Sequence, residues 1–347
     1  MNATTRRFAI SACVCACFPA FAPRADAQKL FKSDTALNVT VTGMLGPLLK
    51  QRDSLDLVKH PAILSYPTEK GAQSIPVRLR ARGHFRRQAR NCDFPPLWVD
   101  VKSSDAKQTL LSGQSKIKLT TNCRPKDAEY EQYILQEFIV YKAYSALTDA
   151  SYRTRLLHAT YRDSAGKIAP ATTWAFFVED PDDVAARLGR KPMPAKGARF
   201  DDIDTGPLTL LSMFEYFIGN TDWSISGLHN ITLLQDSTGS TIPVAYDFDW
   251  TGAVNARYAF PDKTLKIHTV TDRLYRGNCP TPEQLKITLD KFREKHAAID
   301  AIFTQLPQLT PGRAKQMKSF FDDFWKRLDD PRGLQREIAG DCLKAGN

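Results

Sequence analysis

Residues 218–223 read Ile-Gly-Asn-Thr-Asp-Trp, and residues 246–250 read Tyr-Asp-Phe-Asp-Trp. Each stretch follows an apolar run, so its polar residues are expected at the end of a helix or of a strand. Asp222, Asn230 and Asp247 then meet on neighbouring loops. Carboxylate and carboxamide oxygens are the ligands that a hard cation such as Mg²⁺ takes. The order Asp, Asn, Asp also serves phosphoryl transfer, where it orients an acceptor hydroxyl and holds Mg²⁺ on the phosphates.

Asp249 adds a third carboxylate to this group. Carboxylates that are buried together repel one another unless a cation lies among them. We therefore predict a divalent-cation site that brings together Asp222, Asn230, Asp247 and Asp249. Each residue also has a structural interpretation, because Asp222 could cap a turn, Asn230 could bond backbone groups and Asp249 could pair with an arginine.

The first half of the chain is predicted to be rich in strands that form an antiparallel sheet. Residues 76–82 alternate apolar residues with arginines, which is the period of a strand with one basic face. Residues 128–148 form a long helix with an apolar face. A polar connection at 181–204 leads to a mostly helical second half. The other predicted strands are 36–41, 97–102, 115–120, 156–161, 172–179, 230–234 and 242–246, and the later helices are 205–219, 282–306 and 311–328.

Two lysines lie on one face of the strand at 115–120. Lys116 and Lys118 alternate with apolar residues, so both side chains point the same way. A lysine there could reach phosphate oxygens and pair with a glutamate of the helix at 128–148, where Glu137 is the favoured partner. The alternative is a pair of exposed lysines that protect a sheet edge.

Two further charged residues lie at strand ends. Arg82 precedes Gly83 and could face a phosphate, although one glycine also suits a solvated basic face. Glu179 ends an apolar strand, where a nucleotide base could dock or where the carboxylate could simply face solvent.

Residues 1–27 are predicted to be a secretory signal. Two arginines precede a short apolar run, and Ala25-Asp26-Ala27 is a small-x-small cleavage site. The run is too short to span a membrane, and no later segment is predicted to do so. A twin-arginine signal and a lipidated Cys13 are the alternatives. The net charge of +10 favours anionic partners, while no motif is specific to nucleic acid.

Four cysteines remain after this signal. An even number in an exported protein predicts disulfides, and four cysteines allow three pairings. Cys92–Cys123 and Cys279–Cys342 are favoured because each pair closes a local unit. A zinc site is the alternative, but no C-x-x-C spacing supports it.

The order of these features resembles that of the CotH-type atypical kinases of spore coats and bacterial envelopes. It also resembles an exported bacterial family with a Cys-x-Phe-Pro-Pro signature, here at 92–96, and a Gly-Asn-Thr-Asp-Trp signature, here at 219–223. The resemblance covers roughly residues 75–260. It rests on Arg82-Gly83, Lys116-Ile117-Lys118-Leu119, Glu137, Glu179, Asp222, Asn230 and Asp247 in this order.

The resemblance implies an α+β, two-lobed protein-kinase-like fold. Residues 28–180 would form an N-terminal antiparallel sheet with one helix, and residues 181–347 a mostly helical C-terminal lobe. Mg²⁺ (or Mn²⁺) and ATP or another nucleotide would bind between the lobes. In the implied roles, Lys116 or Lys118 contacts phosphates, and Glu137 holds that lysine. Arg82 and Glu179 complete the nucleotide site. Asp222 is the catalytic carboxylate, and the metal ligands are Asn230, Asp247 and Asp249.

The predicted function is therefore that of an exported phosphotransferase that acts on a protein or glycan hydroxyl. The protein is predicted to be a monomer without a nucleic-acid partner. A catalytically inactive pseudokinase for binding or assembly in the envelope is an alternative, because no glycine-rich phosphate loop is evident. A glycosyltransferase is the second alternative, because Asp247-Phe248-Asp249 reads as a D-x-D that could hold Mn²⁺ and a nucleotide sugar. The consecutive runs of strands argue against the parallel sheet that this alternative wants.

Overall fold

The computed structural model describes residues 29–54, 58–306 and 308–344. The predicted signal at 1–27 lies outside the described residues. Seven strands close into a barrel in the order β1-β2-β3-β4-β5-β7-β6, in which β1 and β6 are parallel and all other neighbours are antiparallel. The strands are β1 (Leu37–Gly43), β2 (His60–Thr68), β3 (Gly71–Ala81), β4 (Leu97–Val101), β5 (Lys116–Thr120), β6 (Thr154–Asp163) and β7 (Ala171–Val178).

Alternate side chains of the barrel strands form its apolar interior. In β3, Ile75, Val77 and Leu79 are buried while the residues between them are exposed or half-buried. This alternation is the pattern expected when one face of each strand points into a closed barrel.

The second half of the chain combines helices with a small sheet. The sheet has the order β10-β9-β8 and is antiparallel. Its strands are β8 (Lys191–Pro192), β9 (Ile231–Gln235) and β10 (Thr241–Ala245). The helices of the whole chain are α1 (Leu45–Gln51), α2 (Ser103–Ala106), α3 (Ala128–Leu147), α4 (Pro181–Arg187), α5 (Thr205–Ile218), α6 (Pro282–Thr304), α7 (Pro311–Leu328) and α8 (Pro331–Asp341), with a 3₁₀ helix at Phe200–Asp202.

Helix α3 joins the two halves. Its side chains are buried on nearly every side, because it packs against β6 and β7 of the barrel and also against α6. Tyr144 of α3 stacks on Phe214 of α5 with ring centroids 4.3 Å apart. Tyr141 packs on Phe248 at 4.7 Å. One apolar core therefore runs from the outer face of the barrel through α3 to the C-terminal helices.

The prediction of a two-lobed protein-kinase-like fold with an N-terminal antiparallel sheet is wrong. The strands instead form a closed mixed barrel, and a second small sheet accompanies the helices. Closure depends on β1, which pairs parallel to β6 with Leu37 opposite Leu157. It also depends on β2, which pairs with β3 across the turn at 69–70 and is absent from the predicted strands, since Pro61 and Pro67 disfavour a strand prediction. The pairing of β1 with β6 is not local, since pairing of distant strands follows from the tertiary fold rather than from side-chain periodicity.

Most individual elements are nevertheless confirmed. The helix predicted at 128–148 is α3, and the strands predicted at 97–102 and 115–120 are β4 and β5. Both favoured disulfides, Cys92–Cys123 and Cys279–Cys342, are present, which is consistent with an exported protein. Within the described part of the chain, no helix has the length and apolarity needed to cross a membrane.

Candidate functional site

The end of α5 positions Asp222. Gly219 adopts a left-handed conformation with φ of 66° and stops the helix. The next residue, Asn220, donates through Nδ2 to Glu215 at 2.9 Å and accepts through Oδ1 from the backbone N–H of Asp222 at 2.9 Å. Trp223 is buried and anchors the far side of the turn. Gly219, Asn220 and Trp223 thus fix the turn that carries Asp222.

Asp222 lies next to two side chains of the following loop. Its carboxylate is 3.0 Å from Nε2 of His229, and this hydrogen bond raises the pKa of that imidazole. Asn230 donates through Nδ2 to the backbone carbonyl of Asp222 at 2.8 Å and to its carboxylate at 3.2 Å. The Oδ1 atom of Asn230 is then the one that a cation would use.

The mouth of the β9–β10 hairpin places Asn230, which bonds Asp222, beside the segment that carries Asp247. The backbone carbonyl of Asn230, at the start of the hairpin, accepts a hydrogen bond from the backbone N–H of Tyr246 at 3.0 Å. Asn230 and Asp247 both have left-handed backbones, with φ of 55° and 66°. This conformation is uncommon outside glycine and is best tolerated by Asn and Asp, and such strain is concentrated at functional sites. The backbone N–H of Asp247 donates to the Tyr141 hydroxyl of α3 at 2.8 Å.

Arg86 lies among three carboxylates, those of Glu137, Asp247 and Asp249, which we call the acidic cluster. Its guanidinium nitrogens are 3.1 Å from Glu137, 2.8 Å from Asp247 and 3.3 Å from Asp249. The three carboxylates each offer an oxygen within 4.8 Å of the other two. Tyr258 donates its hydroxyl to Asp249 at 3.0 Å. The cluster therefore joins α3, the end of the hairpin and the loop after β3.

The acidic cluster holds more negative charge than Arg86 neutralises. Burial, reinforced by the neighbouring carboxylates and opposed by Arg86, raises the pKa of Glu137 to about 8 and that of Asp249 to about 6. Desolvation also acts on Asp247, but Arg86, Arg82 and Lys118 hold the pKa of this carboxyl below its usual range. Oε1 of Glu137 is buried without a hydrogen-bond partner among the described residues. The donor set and its unbalanced charge fit a divalent cation.

Lys118 supplies a buried ammonium beside the cluster. Its side chain is 6% exposed, and its Nζ lies 4.2 Å from the ring centroid of Tyr246 and 4.9 Å from that of Tyr152. Burial, helped by Arg82, lowers the pKa of Lys118 to about 7, while Asp247 opposes this shift. In the described ranges this ammonium has no ion pair or hydrogen bond. A buried ammonium that forms no ion pair is a ready partner for an anionic ligand.

The remaining predicted residues are placed around this centre. Lys116 lies 3.2 Å from the Asp180 carboxylate, so its partner is not Glu137. Arg82 donates to the Thr120 hydroxyl at 3.1 Å. Glu179 is buried and accepts from Arg187 at 2.9 Å and 3.1 Å and from the backbone N–H of Arg153 at 3.0 Å. These contacts give Glu179 a structural role at the start of α4.

Arg86 is the central residue that sequence reasoning did not single out. It lies in a basic loop with other arginines, and no local pattern distinguishes it from Arg87 or Arg90. One feature of the sequence points to this loop, because Cys92, which lies in it, is predicted to form a disulfide. That bond to Cys123 holds the loop against the segment that leads into α3.

Comparison with known proteins assigns no family to this chain. No protein-family model matches it, and no curated protein does either. The resemblance to CotH-type kinases stays a prediction, carried by the residues quoted for it.

Proposed function

We propose that this protein is a phosphotransferase that uses a divalent cation and ATP or another nucleoside triphosphate to phosphorylate a hydroxyl group. The observation that carries the proposal is the gathering of Glu137, Asp247 and Asp249 within 4.8 Å of one another, beside the buried Lys118. Sites of this chemistry combine carboxylates, which hold a cation, with basic side chains, which hold phosphate oxygens. A purely structural ion-pair network has no need of a buried lysine that lacks an anionic partner.

The acidic cluster is the part that would hold the cation. Its three carboxylates face one arginine, so the group has a formal charge of −2 when all three are ionised. The raised pKa of Glu137 keeps a proton there near neutral pH, and a bound divalent cation would displace this proton. Bound there, Mg²⁺ or Mn²⁺ would neutralise charge on the phosphate oxygens during transfer. Oε1 of Glu137 supports this fit, because it has no protein donor among the described residues.

The protein's own side chains would do the rest by orientation and charge. Lys118, with Arg82 close enough to affect its pKa, would contact phosphate oxygens. Asp222 would accept a hydrogen bond from the acceptor hydroxyl and take its proton as the oxygen attacks phosphorus. Asn230 and His229 hold the Asp222 carboxylate in place for this step. Orientation of this kind is the main protein contribution to phosphoryl transfer.

A non-catalytic binding protein is the second candidate, and Arg86 favours it. The Arg86 guanidinium already lies among the three carboxylates, as in a structural ion-pair network. Such a protein needs no nucleotide. Its melting temperature would stay the same when ATP and Mg²⁺ are added, whereas the phosphotransferase would be stabilised by them.

Transfer of labelled γ-phosphate tests the catalytic proposal. The purified protein should transfer phosphate from ATP to itself, to an added acceptor or to water in the presence of Mg²⁺ or Mn²⁺. Asp222→Asn should lower the rate about 100-fold or more, because a carboxamide cannot take the proton. Asp329→Asn, at an exposed position far along the chain after α7, is the matched control and should retain the rate.

A purified protein that transfers no phosphate would show that the catalytic proposal is wrong. If the wild type matches Asp222→Asn with every nucleotide and acceptor tried, the binding-protein candidate takes its place. If Asp222→Asn is as active as the wild type, the protein is a phosphotransferase but Asp222 is not its proton acceptor.

A further inference from the structure

A pocket opens beside Asp222, and the acidic cluster does not contribute to it. Its volume is about 350 Å³, which is large enough for one or two sugar units and falls in the range of small-molecule sites. We call it the aromatic pocket. Its lining includes Asp222, Trp223, Trp250, Phe260, Asp262 and Arg276.

Two aromatic rings form one wall of the aromatic pocket. Trp250 and Phe260 meet edge to face, with ring centroids 4.9 Å apart and an angle of 62° between the ring planes. Phe260 is 58% exposed, which makes it one of the few large apolar side chains open to solvent among the described residues. A single exposed apolar residue is ordinary on a protein surface. Here it extends a second ring into a concave site, as an aromatic surface for a ligand does.

The other lining residues offer hydrogen bonds of both kinds. The carboxylates of Asp222 and Asp262 accept, and the guanidinium of Arg276 donates. Arg276 is fixed by its hydrogen bond to the backbone carbonyl of Thr221. Such a mixture suits a neutral polyhydroxylated ligand better than a strongly charged one.

The aromatic pocket is poorly suited to an extended peptide. Peptides in extended form commonly bind by pairing with a sheet edge. None of the residues that line the pocket belongs to a strand, since they come from the turns at 221–229, the segment at 250–265 and Arg276. A compact ligand with one apolar face and several hydroxyls matches the walls instead.

We propose that the acceptor is a carbohydrate, with one neutral sugar unit bound in the aromatic pocket and a hydroxyl presented to Asp222. This inference rests on the proposed phosphotransferase function and names its substrate class. The sugar oxygen would form a bond to the γ-phosphorus, and the bond between that phosphorus and the leaving nucleoside diphosphate would break. The hydroxyl proton would pass to Asp222, and the bonding electron pair would leave with the diphosphate.

Sugar binding can be measured without nucleotide or metal, from the fluorescence of the pocket tryptophans. The probes are N-acetylglucosamine, its β-1,4-linked dimer and mannose, up to about 50 mM, which exceeds a millimolar Kd. A serine-containing tetrapeptide is the competing probe. We expect saturable binding of at least one sugar. Phe260→Ala should weaken it about fivefold or more, since an aromatic contact contributes about 1 kcal/mol.

Two variants make the outcome specific to the aromatic pocket. Asp262→Asn, at an exposed position, should also weaken sugar binding, while Met44→Ala, which truncates an exposed apolar side chain on the barrel, should leave it unchanged. No saturable change with any sugar, or binding that Phe260→Ala leaves intact, overturns the inference. Binding of the tetrapeptide alone would overturn it as well.

The inference and the phosphotransferase proposal can fail separately. If the protein transfers phosphate from ATP to a protein acceptor and binds no sugar, the carbohydrate acceptor is wrong and the phosphotransferase function stands. If the protein binds sugar but never binds ATP, it is not a phosphotransferase, and the aromatic pocket is a carbohydrate-binding site. The proposal of a sugar acceptor would then be wrong.

Discussion

At the scale of single residues, the balance between Arg86 and three carboxylates decides how the site behaves. Arg86, Glu137 and Asp249 are almost fully buried, with exposed side-chain fractions of 7%, 1% and 4%. Despite this burial the carboxylates raise the pKa of Arg86 well above its ordinary value, so the guanidinium stays charged. Removal of one partner from a buried ion-pair network leaves uncompensated charge.

Arg86→Met should therefore destabilise the protein by about 3–5 kcal/mol at pH 8, where Asp247 and Asp249 are ionised. Urea denaturation measures this free energy of unfolding. Arg90→Ala, an exposed arginine of the same loop, is the matched control and should change it by less than about 0.5 kcal/mol. Addition of Mn²⁺ should restore part of the stability of Arg86→Met, because the cation replaces the lost positive charge. Equal stability of the two variants would contradict the account of the acidic cluster.

The buried Lys118 should make the stability of the protein depend on pH. Its folded-state pKa of about 7 lies below the value of 10.5 for an exposed lysine, so the unfolded state binds one more proton between these two pH values. This residue therefore costs stability at pH 7 and below, and the cost fades as the pH rises toward 10.5. Lys118→Met should be more stable than the wild type by about 2–5 kcal/mol at pH 7, with a smaller difference at pH 9.5.

Denaturation of both proteins at pH 7 and pH 9.5 checks this prediction. Groups whose pKa does not depend on Lys118 titrate alike in both proteins, so their effect cancels in the difference between variant and wild type. Asp247, whose pKa Lys118 lowers, stays ionised at both pH values. A difference that is the same at both pH values would show that the ammonium of Lys118 is not desolvated.

At the scale of elements, short connections place the functional side chains. α5 delivers Asp222 because Gly219 ends the helix, and a Cβ at this position would lie 2.8 Å from Cζ of Phe320. α3 presents Glu137 to Arg86 and, one turn later, Tyr141 to the backbone of Asp247. The loop that carries Arg86 has neither helix nor strand to hold it, and the Cys92–Cys123 disulfide provides the anchor.

Removal of that disulfide should loosen the loop of Arg86. The double variant Cys92→Ala/Cys123→Ala should lose about 2–4 kcal/mol of stability and should bind nucleotide with Mg²⁺ more weakly. Cys279→Ala/Cys342→Ala is the matched control, since this second disulfide joins the segment before α6 to the end of α8. It should lose comparable stability while its nucleotide affinity stays the same. Isothermal titration gives the affinities, and equal weakening in both double variants would refute a local role for Cys92–Cys123.

The elements also show what sequence alone can predict. Side-chain periodicity located α3, β4 and β5 because each has a local pattern, and Gly219 with Asn220 marked the end of α5. Asn230 and Asp247 lie at the two ends of a hairpin, which is a short-range structure, and Asp222 lies in the loop just before it. Arg86 reaches Glu137 and Asp247 across 51 and 161 positions of the chain, and no local pattern records such contacts.

At the scale of the whole molecule, the closed barrel and the shared helix α3 define the architecture. The barrel closes through the parallel pair β1 and β6, whose residues Leu37 and Leu157 lie far apart in the chain. A fold prediction from consecutive strand signals therefore recovered most of the strands, but it missed β2 and the closure of the barrel. The site lies where α3, the β9–β10 hairpin and the loops after β3 and α5 meet, and it depends on all of them at once.

This meeting point is expected to bind a divalent cation together with a nucleotide, and the melting temperature of the purified protein reports that binding. With ATP and Mg²⁺ together, at about 100 times the dissociation constant, the protein should gain roughly 2.7 kcal/mol and melt at a higher temperature. Either ligand alone should raise the melting temperature less, and Asp247→Asn should abolish the joint increase. An unchanged melting temperature with ATP and Mg²⁺ or Mn²⁺, or an increase that Asp247→Asn retains, would contradict the account.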